Sequence, residues 1–314
     1  MSNPFLERVE KDARSGYAGF HEPSARERAT GQTTTQQPHA PQQQTWGQQG
    51  GYPQQPQQQY GQPGYGMPQG PGYAPAPTEE RGVTLEDVIA KTGTLFAVLL
   101  AAAAPAWFLA PSIGGVLWAV GLIGSLGIGF ALMFMKKVNI PLIFGYAIFQ
   151  GIFVGAISST FSTVFDSAVT GSEAPTLFQG IVVQAVLATL CVFGAMLTLY
   201  ATGIIKVGQK FRAIVGMMTL GYFVFALVNL GYILIARPEE PFGFGGTGPI
   251  GILISLFAVG LASVNLAIDF DNIAVAIKTG APEKYSWLLG IGLLTTLVWL
   301  YLEILRLLGR LRSE

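Results

Sequence analysis

Thr92–Met135 reads TGTLFAVLLAAAAPAWFLAPSIGGVLWAVGLIGSLGIGFALMFM and holds no Asp, Glu, Lys or Arg. About 20 apolar residues in a helix cross the ~30 Å hydrocarbon core of a bilayer. This stretch is long enough for two such helices, and Pro105, Pro111-Ser112 and Gly114-Gly115 supply a break between them. Charge-free stretches recur at Val138–Phe165, Ala174–Ile205, Ala213–Ala236, Pro241–Ile268 and Tyr285–Leu302, each with room for one helix. The reading is an all-α membrane protein, a seven-transmembrane-helix bundle. Its helices lie near 88–109, 114–135, 140–162, 178–203, 211–236, 249–277 and 284–308. A helix satisfies its own backbone in lipid, so helices this long are viable spans.

Composition agrees. Half of the 314 residues are hydrophobic and 11% are charged, about half the charged share of a soluble domain. Mean hydropathy is +0.45 although residues 1–82 are polar. That segment holds Gln, Pro, Gly and Tyr in tracts such as Gln42–Gln44 and Gln57–Gln59. It has too few aliphatic residues to offset backbone entropy, so it reads as a disordered tail, a tether or a docking element. It also lacks the short apolar stretch of a cleaved signal, so the first span is expected to direct insertion. Thr84-Leu85-Glu86-Asp87 fits a helix start, with Thr84 as cap and Asp87 at the third position.

Several chemistries are excluded. Zero formal net charge predicts no nucleic-acid partner. The only histidines, His21 and His39, lie in the tail, and Cys191 is the only cysteine. The chain therefore offers no Ser/His, Cys/His or metal-ligand constellation, and it reads as no enzyme and as needing no cofactor. The lipid bilayer is its first partner.

Basic residues near helix ends set orientation. Lys136 and Lys137, then Lys206, Lys210 and Arg212, then Lys278 and Lys284 occupy alternate connections, while the others hold Arg237 alone. The bias places the N-terminal tail in the cytoplasm. Seven crossings then put the C-terminus outside, where Arg306, Arg310 and Arg312 run against the rule. Either those arginines are tolerated there or the last helix stops short of crossing. Gly151 and Gly155, with Gly121, Gly124, Gly127 and Gly129, predict close helix packing or a hinge. Gln150, Gln179, Gln184, Asn229 and Asn265 predict interhelical hydrogen bonds or a polar cavity.

Three acids fall at membrane depth, Asp269, Asp271 and Glu303. A charge near a bilayer centre costs about 2.5–3.5 kcal/mol on insertion scales, so such residues usually face the bundle interior and mark ion or proton paths. Asp269 and Asp271 are two residues apart and point in different directions on a helix. The plainer readings are solvation near the surface for the aspartates and an (i, i+3) pair with Arg306 for Glu303. As carboxylates the three are also candidate Ca²⁺ ligands.

The motifs Val83-Thr84-Leu85-Glu86-Asp87-Val88-Ile89, Ala147-Ile148-Phe149-Gln150-Gly151-Ile152-Phe153-Val154-Gly155, Ile268-Asp269-Phe270-Asp271-Asn272 and Leu300-Tyr301-Leu302-Glu303-Ile304-Leu305-Arg306-Leu307-Leu308 together resemble the Bax inhibitor-1 family, in order over residues 83–314. The tail resembles those on membrane proteins of high-GC Gram-positive bacteria, which implies a bacterial inner-membrane protein. The family resemblance implies a seven-helix bundle with the last helix central. It also implies a pH-sensitive Ca²⁺ leak, in which Asp271 or Asp269 pairs with Glu303, here in place of the family's Asp. At 1.5 Å per residue, Asp271 and Glu303 differ in depth by nearly 20 Å in a plain antiparallel pair. They meet only if the seventh helix starts well below the surface or the sixth is broken. The second reading is a non-conducting regulator of a membrane protease or other membrane partner.

Overall fold

The computed structural model describes residues 81–135, 137–170, 178–236 and 242–313, with backbone alone for 167–170. The tail expected over 1–82 lies outside these residues except for its last two. The described chain is helical throughout: α1 Leu85–Phe134, α2 Ile140–Thr170, α3 Ile181–Ala201, α4 Gln209–Ala236, α5 Pro249–Lys278 and α6 Ser286–Ser313, with a 3-10 turn at Glu283–Tyr285 before α6. All six helices are long and apolar enough to cross a membrane.

Six helices stand where the sequence predicts seven, and the difference lies in α1. Its 50 residues would run about 75 Å if straight, more than twice a bilayer core. The ladder is interrupted at Ile113, whose φ −133° and ψ 25° are not helical. Pro111 just before it brings no N–H, and Gly114-Gly115 just after it has little helix propensity. The two halves of α1 lie along the same stretch of α2. Gly151 and Gly155 seat against the backbone of Leu99 and Ala103 from the first half, while Gly121 of the second half seats against Phe153.

The final helix is the core. In its most apolar window 78% of residues are buried, against 17–44% in the other helices. This is the central last helix that the family resemblance implies. Leu289, Ile291, Leu294, Leu300 and Leu305 are fully enclosed, while the outer faces of α1, α3 and α4 expose large apolar side chains. That pattern suits lipid around a buried axis.

A Schellman-type turn sets α5 against α6. Gly280 takes φ +68°, and its N–H and that of Ala281 bond the carbonyls of Ile277 (3.2 Å) and Ala276 (3.0 Å). Positive φ is what glycine supplies without steric cost. The chain entering α1 pairs with this turn. Val83 N–H donates to the Ala281 carbonyl at 2.7 Å and Glu283 N–H to the Arg81 carbonyl at 2.9 Å. Arg81 adds an ion pair to Asp87 at 2.6 Å and a longer one to Glu283 at 3.5 Å. The capping box forms as the sequence predicts. Asp87 N–H donates to Thr84 Oγ1 at 3.2 Å, and Thr84 N–H donates to Asp87 Oδ2 at 2.9 Å. Thr84→Ala is expected to cost about 1 kcal/mol, read as a lower unfolding midpoint in detergent.

Candidate functional site

The polar groups of the core fall on one seam. On α6, Thr296, Glu303 and Arg310 recur every seven residues; on α5, Ser255, Ala262 and Asp269 do the same. Seven residues make nearly two turns, so each set keeps one face with a drift of only ~20° per repeat. The two faces meet in antiparallel register. Asp269 faces the Thr296 hydroxyl, which hydrogen-bonds its carboxyl. Fourteen residues away on each helix, Arg310 Nη1 donates to Ser255 Oγ at 2.6 Å. By the same register Glu303, midway between Thr296 and Arg310, stands level with Ala262.

Each predicted acid has its own surroundings. Asp271 is partly exposed and is held by Arg212 from the first turn of α4. The Tyr200 hydroxyl of α3 donates to it at 3.3 Å, and Arg212 also donates to the Asn272 amide oxygen at 2.6 Å. Glu303 is buried. Its Oε1 accepts from the Tyr222 hydroxyl at 2.7 Å and from Trp299 Nε1 at 3.2 Å, and Arg306 Nη1 bonds its Oε2 at 3.0 Å. The same Arg306 nitrogen reaches the Tyr222 oxygen at 3.1 Å, and the Tyr222 and Trp299 rings stack with centroids 6.0 Å apart. The (i, i+3) pair with Arg306 is thus present. Asp269 is 1% exposed, has no ion pair among the described residues, and leaves Oδ2 without a hydrogen-bond partner.

The structure does not bring the three acids together. Asp271 is level with Arg212 and Glu303 with Tyr222, ten residues on along α4, or about 15 Å. Asp269 and Glu303 are separated by the Thr296–Glu303 interval, about 10 Å along α6. Among the described residues no group of three or more His, Cys, Asp or Glu assembles as a metal site. The α5–α6 register explains the spacing: a continuous α5 and an α6 that starts right after the turn leave the acids at the different depths the sequence implied.

At the other end of the bundle the structure assembles a site that sequence reasoning left out. Asp166, near the end of α2, is buried and accepts from Arg312 Nη1 at 2.5 Å, Ser162 Oγ at 2.7 Å and the Ile181 N–H at 2.8 Å. The last bond caps α3, whose N-cap residue Gly180 has no side chain to do so. Arg312 also reaches the Gln179 carbonyl at 2.5 Å and the Gln184 amide oxygen at 2.9 Å. In the sequence Asp166 only bounds the charge-free stretch Val138–Phe165. Its partner is 146 residues away, so local sequence carried no signal of the pair. Of the predicted polar residues, Asn265 joins α5 to Thr219 of α4 at 2.9 Å, while Asn229 holds the chain after α4 through the Phe242 carbonyl and the Phe244 N–H. An unanticipated bond links Ser158 of α2 to the Tyr301 hydroxyl at 2.6 Å.

Long apolar helices around a buried axial helix with an internal line of polar groups define a multi-pass helical membrane protein. The model of the Bax inhibitor 1 like family matches residues 19–313, and the chain belongs to that family. No curated protein and no solved structure matches it.

Proposed function

We propose that this protein is a passive, proton-sensitive cation leak, with Ca²⁺ the favoured ion, whose path follows the seam between α5 and α6. The observation that carries the reading is Asp269. A buried carboxylate without a counter-charge is costly and needs a proton or a cation as partner. Asp269 lies about 14 Å inside the end of α5, near the middle of a bilayer, with one oxygen unclaimed. Glu303 would act at the next level of this path and Asp271 beside its nearer end, facing α3 and α4, each released from its arginine, rather than as one cluster. Oxygen ligands of this kind suit Ca²⁺.

The reading includes seven crossings, the two halves of α1 counting as two, which the break at Ile113 and their shared contact with α2 support. It places the tail and the Lys206–Arg212, Lys278 and Lys284 ends in the cytoplasm, in a plasma membrane. The three C-terminal arginines that oppose this orientation are each bonded internally, to Glu303, to Ser255 and to Asp166.

The test is Ca²⁺ flux into liposomes holding the purified protein over pH 5–8, with Asp269→Asn, Asp271→Asn and Glu303→Gln beside the parent. The expected result is a parent flux that changes with pH and an Asp269→Asn flux that loses most of that change. Folded protein giving no flux above empty liposomes would overturn the leak. That outcome favours the second reading, a non-conducting regulator of a membrane protease or other membrane partner. The pairing of Arg81–Val83 with the α5–α6 turn supports that alternative, since it ties the root of the tail to the core helix pair.

A further inference from the structure

Like Asp269 at the other end of the seam, Arg310 has no ion pair among the described residues. It is 2% exposed, and no carboxylate lies within ion-pair distance of it among the described residues. Its Nη1 donates to the Gly251 carbonyl and, at 2.6 Å, to Ser255 Oγ. Its guanidinium lies over the Phe242 ring, 5.1 Å from the centroid. Nε has no partner. Leaving a guanidinium buried on neutral partners is costly, so the surroundings are informative. A backbone carbonyl, a hydroxyl oxygen and an aromatic face are each groups that bind cations.

The place is also built. A Cβ at Gly251 would lie 2.7 Å from the Gly245 carbonyl oxygen and 3.2 Å from Arg310 Nε, with the Gly246 carbonyl also against it, so only glycine lets the guanidinium and the 245–246 loop approach α5 here. Phe161 and Phe165 of α2 and Phe242 pack on Gly309, each within 3.0–3.2 Å of where its Cβ would be. Phe242 stacks on Phe165 at 5.9 Å and meets Phe161 at 6.2 Å, so the ring under the guanidinium is itself held in place. One turn back along α6 stands Arg306 and two turns back its partner Glu303.

We infer that this pocket is a cation site at the α5 N-terminal end of the seam, and that the protein fills it with its own tethered cation, the Arg310 guanidinium. A mobile cation following the seam would need the place Arg310 holds, so the side chain is a plug that sets the basal leak. The plug role rests on the leak proposed above; the cation site does not.

Two measurements on the full chain separate these. The first is thermal unfolding in detergent of Arg310→Ala and the parent, in dilute guanidinium chloride and in sodium chloride of equal strength. Guanidinium lowers the parent's midpoint as a denaturant does. In Arg310→Ala it is expected to raise the midpoint relative to sodium, because the free ion enters the vacated site. No relative stabilisation overturns the cation site. Where Arg310→Ala yields no folded protein, Arg310→Gln takes its place in this comparison.

The second measurement is liposome flux. Arg310→Gln is expected to raise the leak by roughly tenfold or more, because a fixed like charge is an exponential barrier. Arg310→Lys, which keeps the charge, is expected to give a smaller rise. A leaking parent with an Arg310→Gln variant that leaks no faster overturns the plug. A parent and variants that all fail to conduct, with guanidinium stabilisation intact, overturn the leak reading and leave the cation site standing.

Discussion

Gly155→Val is expected to give no stably folded protein, while Gly127→Val and Gly194→Val express and fold as the parent does. A Cβ at Gly155 would enter the backbone of Ala103, 2.8 Å from its Cα and 2.9 Å from its carbonyl carbon. Backbone cannot rotate away as a side chain can. The cost therefore exceeds the about 1–3 kcal/mol of ordinary overpacking, and α1 must separate from α2 to accommodate it. Gly151→Val is expected to behave likewise, its Cβ meeting the Leu99 carbonyl and, at 2.9 Å, the Ala102 methyl. A Cβ at Gly127 or Gly194 would have nothing from the rest of the described residues within 4 Å. The check is size-exclusion profile and unfolding midpoint in detergent for the four variants together. A Gly155→Val protein that is monodisperse with the parent's midpoint would show that α1 and α2 do not meet at these glycines.

The same glycines mark the boundary of what the sequence could tell. A row of glycines on one stretch predicts close approach, and close approach is found, but the row does not say which member is used. A Cβ at Gly121 would meet the Phe153 backbone at 2.6 Å and one at Gly124 the Phe149 ring first, while one at Gly127 would meet nothing from the rest of the described residues. That choice depends on the rotation of one helix against another, which is a tertiary quantity. The last five spans were legible because each is a local matter of length and missing charge, whereas the first two stand as one 50-residue helix broken at Ile113. The capping box was legible for the same reason. The α5–α6 seam was half legible. The seven-residue spacing of Thr296, Glu303 and Arg310 and of Ser255, Ala262 and Asp269 lies in the sequence, but the register that joins them comes from the turn at Gly280. The depth difference of the acids followed from helix rise alone and the Glu303–Arg306 pair from local spacing, whereas Arg212, Tyr200 and Tyr222 come from α3 and α4 and had no local signal. The C-terminal arginines carry two meanings. Counted as free charges they oppose the orientation rule, but folded they are bonded to Glu303, Ser255 and Asp166.

Arg312→Ala is the second change expected to have a large effect, and its cause is charge rather than shape. The Asp166 side chain is 6% exposed and the Arg312 side chain 12%, so the pair sits largely out of water. Removing one member of a buried pair leaves the other uncompensated, at a cost of about 3–5 kcal/mol. Asp166 would keep the Ser162 hydroxyl and the Ile181 N–H, which neutral donors supply, so the loss is expected near the lower end of that range. Asp166→Ala removes the ion pair and also uncaps α3, adding about 1 kcal/mol. It strands a guanidinium that still has the Gln179 carbonyl and Gln184 as partners. The pair Asp166→Asn with Arg312→Gln removes both charges while an amide oxygen remains to accept from Ile181. It is expected to recover most of what either single change loses, because a well-packed neutral pair in place of a buried ion pair is often close to neutral. A double-mutant cycle of unfolding midpoints reads this directly. Single changes whose losses simply add would mean that the two side chains do not depend on each other. The last turn of α6 would then be held by Arg310 and apolar packing, without the tie to α2 and α3.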